Sequence, residues 1–482
     1  MSTLKKKIAQ NFLISFGGRF VAGALGIISI GLITRTIGSD GFGAYSTVFA
    51  FLYVFSMFAD FGLHPLLTRE ISKKDADEAH VVSSVFSARV LLLILFLGVG
   101  CGIALVTPYT TAVKIGIVIA AFGFFLQSSA TVLMGIFQKY LKTGIPAIAD
   151  ISARVTQFAL VWYLFVIGGN FLYFLGIFTL GSFVYFFIIY GWVRRRIPFS
   201  LVFRIHELRR IFTESWPMAV SSLLVLIYFK GDTILLSLLK PAHDVGMYGV
   251  AYKILENIIF FPAMFVGLVM PLLSRYFIDD REMFRAVFQK TFDFLVIIAL
   301  PLAAGGIYMA RDIILILAGT GFEEATAPLQ VLFVAMVFIF FGSLFGSAVI
   351  AIHRQKTVMY VYGIAAVLNI GANIYFITQY SYMGAAAVTA VTEFLVSAGM
   401  FIIIYMTVRQ MPRFSVGIKA LCASGIMVGA LMFSPSQNFI FLFVFGAAVY
   451  AIALYALRGV EKKDLLVLQQ IFRPSREVEK VI

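Results

Sequence analysis

Fourteen long apolar runs, joined by short polar loops, dominate this sequence and restrict the folds open to it. An apolar stretch of about 20 residues crosses the hydrocarbon core of a bilayer as a helix, whose backbone groups satisfy one another. The sequence therefore predicts an all-α integral membrane protein with fourteen transmembrane helices. The runs lie near residues 11–35, 42–63, 82–107, 112–137, 145–167, 170–193, 213–239, 247–273, 288–309, 325–350, 357–378, 384–408, 415–434 and 438–457.

The composition agrees with a membrane class. Of the 482 residues, 61% are hydrophobic and 13% are charged, and the mean hydropathy is +0.96. The formal net charge is +14, but the basic residues lie mostly in short loops, so we interpret them as topology signals and contacts for anionic headgroups, with no role for nucleic acid. Lys5, Lys6 and Lys7 precede an apolar run that extends to about Ile33, which predicts a retained first helix and no signal peptide.

The basic residues are distributed unequally between alternate loops, and we name the two sets of loops the basic side and the sparse side. The sparse side carries only Arg35, Lys114, Lys240 and Arg311. Because cytoplasmic loops are enriched in Lys and Arg, we expect both termini in the cytoplasm. The basic side carries Lys5–Lys7, Arg69, Lys73, Lys74, Lys139, Lys142, Arg194–Arg196, Arg204, Arg209, Arg210, Arg275, Arg281, Arg285, Arg354, Lys356, Arg409, Arg413 and the tail from Arg458 to Lys480.

The chain contains an internal repeat. The sequence Gly-Ala-Tyr at residues 43–45 is followed by Pro-Leu-Leu-Thr-Arg at 65–69, and Gly-Met-Tyr at 246–248 is followed by Pro-Leu-Leu-Ser-Arg at 271–275. The first pair flanks helix 2 and the second pair flanks helix 8, so the repeat unit is six helices. Because six is even, both copies start on the same side of the membrane, which makes them parallel repeats. We predict two pseudo-symmetric lobes around a central cavity, with substrate bound between them: 1–200 (helices 1–6), 201–410 (helices 7–12), and 411–482 for helices 13–14 and a cytoplasmic tail.

Several motifs of this sequence resemble those of a known family of membrane proteins. Residues 33–45 (ITRTIGSDGFGAY), 59–63 (ADFGL) and 68–71 (TREI), with 232–237 (DTILLS) and 245–248 (VGMY), resemble Wzx-type polysaccharide flippases of the multidrug/oligosaccharidyl-lipid/polysaccharide exporter superfamily. The resemblance implies a two-lobed bundle that opens alternately to each side. It further implies that an undecaprenyl-diphosphate-linked oligosaccharide, as in O-antigen or exopolysaccharide synthesis, moves from the inner to the outer leaflet. Helices 13 and 14 occur in some members, where they can help form a lipid-tail groove.

Charged and amide side chains inside the apolar runs are the candidate site residues. A charge in the middle of a bilayer costs about 2.5–3.5 kcal/mol on insertion scales, so such residues usually face a protein interior or an aqueous cavity. For the substrate that the resemblance implies, arginines suit phosphate oxygens and amides suit sugar hydroxyls. The substrate-binding candidates are Arg19, Arg89, Arg154, Lys230, Asn369 and Asn373. The ion-coupling candidates are Glu393, Asp60 and Asp232.

Structural roles compete with each of these assignments. Arg154 follows Asp150 by one helical turn and could simply pair with it. Arg19 could pair with Asp60, and Asp232 with Lys253. Arg89 could extend to the membrane interface, and Glu393 could be a carboxyl kept neutral by burial.

No enzyme signature is present, and we expect no cofactor or metal. The sequence has no phosphate-binding loop ending in Gly-Lys-Ser/Thr and no His-Glu-x-x-His. Two alternatives to a flippase remain. One is a cation-coupled multidrug antiporter of the same superfamily, which usually has twelve helices. The other is a membrane polysaccharide polymerase or ligase, which usually needs a large outward loop that this chain lacks. Expected partners are the lipid-linked oligosaccharide, membrane lipids, a polysaccharide polymerase and a chain-length regulator.

Overall fold

The computed structural model describes residues 2–73, 76–140, 142, 144–204, 206, 209–213, 230–409, 412–436 and 438–459, with side chains from residue 21 onward. Within these residues the chain is helical with short connections, so the predicted all-α membrane class is confirmed. The helices are α1 (Ser2–Asp60), α2 (Leu63–Ile71), α3 (Glu78–Val106), α4 (Thr111–Val132), α5 (Met134–Lys139), α6 (Gly144–Ile167), α7 (Phe171–Arg196), α8 (230–239), α9 (Ala242–Asp279), α10 (Arg281–Tyr308), α11 (Ala310–Ala318), α12 (Thr326–Ala351), α13 (Gln355–Val408), α14 (Ser415–Met432) and α15 (Phe439–Ala456).

Eleven of the described helical segments are long and apolar enough to cross a membrane. Two of them, α1 and α13, each contain two of the predicted spans, separated by a sharp kink instead of the loop that the sequence suggested. Most of the predicted seventh span falls at residues 214–229, outside the described part of the chain. The count of fourteen therefore stays a prediction, while the positions of the other spans agree with the helices.

The two kinks have different chemistry. Gly38 bends α1 with φ 67°, in the left-handed region that costs glycine little because it has no Cβ. Ser381 bends α13 with φ 48°, which is unfavourable for a residue with a side chain. Its hydroxyl donates a hydrogen bond to the Asp244 carboxylate, and this contact helps to hold the bend.

The chain divides into two compact units. The first contains Met1–Val250, Ile314–Ala325 and Ala366–Ala385, and the second contains Ala251–Ile313, Thr326–Ala365 and Ala386–Ile482. In the first unit α1 packs against α3, α4, α6 and α7, around fully buried side chains such as Leu52, Leu93 and Ile117. In the second unit α10 packs against α12 and α14, and α14 packs against α15. The predicted lobe boundaries at 200 and 410 stay a prediction.

The connection that follows α7 is fastened to α3. The backbone N–H of Ser200 donates to Ser83 Oγ at 3.1 Å, and that of Val202 donates to Ser87 Oγ at 2.7 Å. Ser83 and Ser87 lie one turn apart on α3, so two alternate residues of the connection bond to successive turns of the same helix.

Candidate functional site

A buried ion pair joins the end of α1 to α3. Arg89 is only 2% exposed, and its Nη1 lies 3.0 Å from Asp60 Oδ1. Its Nε donates to the Ser128 carbonyl at 3.3 Å. The suggestion that Arg89 extends to the membrane interface is therefore wrong, because its side chain ends inside the first unit. Asp60 is the last residue of α1, and its side chain keeps 22% of its surface exposed.

Arg154 forms the local pair that its spacing suggested. Its Nε lies 3.7 Å from Asp150 Oδ1, one turn earlier on α6, and both side chains are more than 40% exposed. A pair with this exposure stabilises a protein by about 0–1 kcal/mol. The Arg154 guanidinium is thus accessible to a ligand, in contrast to that of Arg89.

Arg19 lies on α1, but its side chain is outside the described part of the structure. Its suggested pairing with Asp60 is not tested directly. Asp60 has an arginine partner in Arg89, so its charge does not require a second one.

Asp232 is buried on α8 and is held by hydrogen-bond donors. It is 3% exposed, and Oδ1 accepts from the Thr233 backbone N–H at 2.6 Å and from Thr233 Oγ1 at 3.2 Å. Its other oxygen accepts from the hydroxyl of Tyr248, the tyrosine of the second repeat motif. Lys253, which the sequence offered as its ionic partner, forms its own ion pair with Glu256 at 2.9 Å.

Three other predicted residues lie close to Asp232. Asn369 and Asn373 are 2% and 0% exposed, and Asn373 Nδ2 donates to Asn369 Oδ1 at 2.9 Å. A Cβ on Gly231 would lie 3.9 Å from that same Oδ1, so α8 passes the asparagine pair closely. Lys230 precedes this glycine, and its Nζ lies 5.7 Å from the centre of the Tyr53 ring. The structure thus groups residues that the sequence could only name one by one.

Glu393 lies in the second unit, on the second half of α13. It is 7% exposed and shares this stretch of helix with the buried hydroxyl residues Thr389, Thr392 and Ser397. It interacts electrostatically with Tyr362 of the same unit. Among the described residues, no group of three or more His, Cys, Asp or Glu side chains is arranged to hold a metal ion.

The two copies of the repeat motif contact each other, which the sequence did not reveal. A Cβ on Gly43 would lie 1.7 Å from the Ala242 carbonyl oxygen, and a Cβ on Gly246 would lie 2.3 Å from the Ser39 carbonyl oxygen. Ala242 is as many residues after Ser39 as Gly246 is after Gly43, so each pair occupies equivalent positions in the two copies. The contact is therefore mutual. Repeats related by a twofold axis touch through equivalent residues near that axis, and this rule could have identified the glycine pair from the sequence.

Polar contacts surround this glycine pair, and we call the whole arrangement the glycine seam. His243 Nδ1 lies 3.0 Å from Ser39 Oγ. Other contacts join the first six-helix repeat to the second at the sparse side. Arg35 Nη2 donates to the Ile316 carbonyl at 2.7 Å, and Tyr109 Oη lies 2.9 Å from Ser237 Oγ. All of these residues belong to the first unit. The seam therefore joins the halves by close backbone packing and polar contacts.

Comparison with known proteins places the chain in a family. The profile of a family described as polysaccharide biosynthesis protein matches residues 8–277, more than half of the chain. The chain belongs to this family. A second profile, MatE, matches residues 217–375, and the predicted membership of the exporter superfamily is confirmed.

Curated relatives of this polysaccharide biosynthesis protein are distant but cover most of it. A protein of Haloferax volcanii named as a low-salt glycan biosynthesis flippase, Agl15, is 20% identical over 392 residues, which span 80% of this chain and 81% of the relative. A protein of Escherichia coli K12 named as an O-antigen transporter is 22% identical over 423 residues, which span 84% of this chain and 98% of the relative.

Solved structures show the same fold. The lipid II flippase MurJ in an inward closed conformation superimposes with a TM-score of 0.77 at 17% identity, covering 94% of this chain and all of the other. An inward-facing multidrug resistance transporter of the MATE family gives a TM-score of 0.64 at 13% identity, covering 86% of this chain and 96% of the other. This family member therefore has a transporter fold.

Proposed function

We propose that this polysaccharide biosynthesis protein is a flippase for an undecaprenyl-diphosphate-linked oligosaccharide. It carries the lipid-linked sugar from the inner to the outer leaflet of a bacterial cytoplasmic membrane by alternating access. The names of the two curated relatives support this substrate class. The observation that carries the mechanism is the glycine seam, because a contact between the halves at one side is what an alternating-access transporter must make and break.

The proposed orientation follows the basic loops. Both termini lie in the cytoplasm, and the glycine seam faces outward. Ser436, in the connection between α14 and α15, lies on the sparse side and is partly exposed. A cysteine at Ser436 should react with an impermeant thiol reagent added to intact cells, and a cysteine at Ser475 should not. Labelling at Ser475 from outside would reverse the orientation.

The candidate residues divide into two roles under this proposal. Arg19 and Arg154 bind the diphosphate near the basic side, because desolvated phosphate needs compensating positive charge. Arg89 has a positioning role, since its guanidinium is buried against Asp60. Lys230, Asn369 and Asn373 contact the sugar or hold the α8–α13 contact in place.

Ion coupling is assigned to Glu393 first and to Asp232 second. A buried acid in a membrane helix is a functional candidate by default, and Asp60 already has a cation beside it. Glu393→Gln should abolish the dependence of transport on a proton or sodium gradient while protein accumulation stays at the wild-type level. Transport that keeps its gradient dependence would transfer this role to Asp232.

A multidrug antiporter is the second candidate function, because the MatE profile matches residues 217–375. The two functions can be separated in one strain that lacks its own oligosaccharide flippase and its main drug exporters. Expression of the wild-type chain should restore surface polysaccharide and leave drug sensitivity unchanged. Restored drug resistance without polysaccharide would contradict the flippase assignment. Any polysaccharide polymerase or chain-length regulator would act on the delivered product, and we propose no catalytic step for this chain.

A further inference from the structure

A cavity of about 310 Å³ lies at the basic side of the second unit. It is formed by the start of α10, the end of α13 and the segment that leads into α14. Its lining residues belong to none of the sequence motifs and to none of the site residues discussed above. The lining residues are Phe284, Arg285, Ala286, Phe288, Gln289, Ile404, Val408 and Arg413.

Hydrogen bonds of Gln289 fix the shape of this cavity. Helix α13 ends at Val408 because Arg409 adopts the left-handed conformation, with φ 52°. The chain then returns to α10, where Gln289 Oε1 accepts from the Arg413 backbone N–H at 2.7 Å and its Nε2 donates to the Arg413 carbonyl at 3.0 Å. The same Nε2 also donates to Asp293 at 2.8 Å. The amide is therefore fully used in holding the backbone of Arg413 against α10.

Two guanidinium groups line this cavity, and neither has a carboxylate partner in the part of the chain that the structure describes. Neither Arg285 nor Arg413 forms an ion pair with any residue in the described ranges. Nearby acids have other tasks, since Asp280 accepts from the first N–H groups of α10 and Asp293 accepts from Gln289. Arginine remains charged at any physiological pH, so two arginines that share one cavity favour an anion between them.

Two other arginines at this end of the second unit have partners. Arg275 Nε lies 3.4 Å from Asp279 Oδ2, and the Arg281 guanidinium lies 3.4 Å from the centre of the Phe277 ring. Arg285 and Arg413 therefore differ from these two neighbours in having no such partner among the described residues.

The other lining residues of the cavity are mostly apolar. Phe284 and Phe288 are buried, and Ile404 and Val408 contribute aliphatic surface from α13. A phosphate held by arginines above an apolar surface matches a phospholipid, whose headgroup and acyl chains need these two environments together. The volume of about 310 Å³ accommodates one phosphodiester headgroup.

We propose that this cavity binds an anionic phospholipid of the leaflet at the basic side, with its phosphate between Arg285 and Arg413. The bound lipid would connect α10 to the segment just before α14, and so hold the last two helices against α10 within the second unit. This site is separate from the transported lipid-linked sugar, and it would remain if the transported molecule were different.

The test uses the purified full-length chain in phosphatidylcholine nanodiscs. The probe is phosphatidylglycerol, and the readouts are the lipid retained in native mass spectrometry and the change in Tm. The test variant is Arg285→Gln with Arg413→Gln, which removes both charges while keeping polar, hydrogen-bonding side chains. The matched control is Arg275→Gln, because that arginine lies at the same end of the unit but is paired with Asp279.

Phosphatidylglycerol should raise the Tm of the wild type and of Arg275→Gln, and the double variant should bind it about 10-fold more weakly or worse. Added phosphatidylcholine should have no effect on any of them. Equal binding by the double variant and the wild type would overturn the proposal. A response to undecaprenyl phosphate through the same arginines, with none to phosphatidylglycerol, would also overturn it and assign the cavity to the isoprenoid carrier. Unliganded Tm values within the range of the control show that the double variant is folded.

Discussion

The two copies of the repeat motif are alike where they meet and different where they end. At the glycine seam, Gly43 and Gly246 make equivalent contacts with the opposite backbone. Towards the basic side, the first copy breaks at Phe61 and Gly62, which have φ values of 46° and 70°, and continues as the short helix α2. The second copy runs unbroken through Pro271 to Asp279 as part of α9.

The acids near the two copies also differ. In the first half, Asp60 comes at the break and is paired with Arg89. In the second half, Asp232 precedes the motif and is held by Thr233 and by Tyr248 of the motif itself. The symmetric part of the repeat thus forms a backbone contact, and the asymmetric parts carry the charges. The two copies therefore share the geometry of the seam and differ in the polar contacts around their acids.

Substitution of the seam glycines should have the largest effect on transport. Gly43→Ala and Gly246→Ala each place a Cβ where a carbonyl oxygen already lies, and overpacking of this kind typically costs about 1–3 kcal/mol or more. We expect each variant to lose most of its ability to restore surface polysaccharide. Gly26→Ala on α1 is the control for the first variant and Gly267→Ala on α9 for the second, because no atom lies within 4 Å of either added Cβ. Normal function of both seam variants would remove the symmetric contact from the mechanism.

Breaking the Asp60–Arg89 pair should have the next largest effect. Arg89→Ala leaves Asp60 beside a cavity without its cation, and removal of one partner of a buried pair costs about 3–5 kcal/mol. Protein accumulation and transport should both fall. The double variant Arg89→Met with Asp60→Leu should recover much of both, because no orphan charge remains. If accumulation recovers but transport at matched protein levels stays absent, Arg89 belongs to the phosphate site and not to a positioning pair.

Removing a donor from Asp232 should be milder than breaking the first-half pair. Tyr248→Phe deletes one of the hydrogen bonds to this carboxylate and leaves those from Thr233. The expected loss is about 1–3 kcal/mol, as for a hydrogen bond to a charged group. Thermal unfolding of the purified protein measures it. A destabilisation as large as that of Arg89→Ala would mean that the two halves depend equally on their buried acids.

The Arg154–Asp150 pair should contribute least to stability. Both side chains are more than 40% exposed, so Arg154→Gln should change the free energy of unfolding by no more than about 1 kcal/mol. Because we assign Arg154 to phosphate binding, surface polysaccharide should nevertheless fall clearly at matched protein levels. Unchanged transport would leave this pair as a surface contact of α6 with no part in the site.

The sequence predicted the class and the helices because burial in lipid imposes long apolar runs. It also predicted the Asp150–Arg154 pair, since residues one turn apart are neighbours on any helix. It could not predict that Asp60 belongs to Arg89, or that Tyr248 donates to Asp232, because these pairs join separate helices. It predicted a break between residues 378 and 384, but not that Ser381 would make it as a kink within one helix, since serine seldom adopts a positive φ.

Whether the glycine seam must open during transport is the question that a disulfide can answer most directly. Ser39 and His243 are in side-chain contact at 3.0 Å, so Ser39→Cys with His243→Cys, in a chain whose Cys101 and Cys422 are replaced by serine, should form a bond under oxidation. Ser56→Cys with Ser128→Cys is the control, because these hydroxyls lie 2.5 Å apart within the first six-helix repeat.

Surface polysaccharide is measured before oxidation, after it, and after reduction. Alternating access predicts that oxidation stops transport only in the seam pair and that reduction restores it. Full transport with the seam pair cross-linked would contradict it.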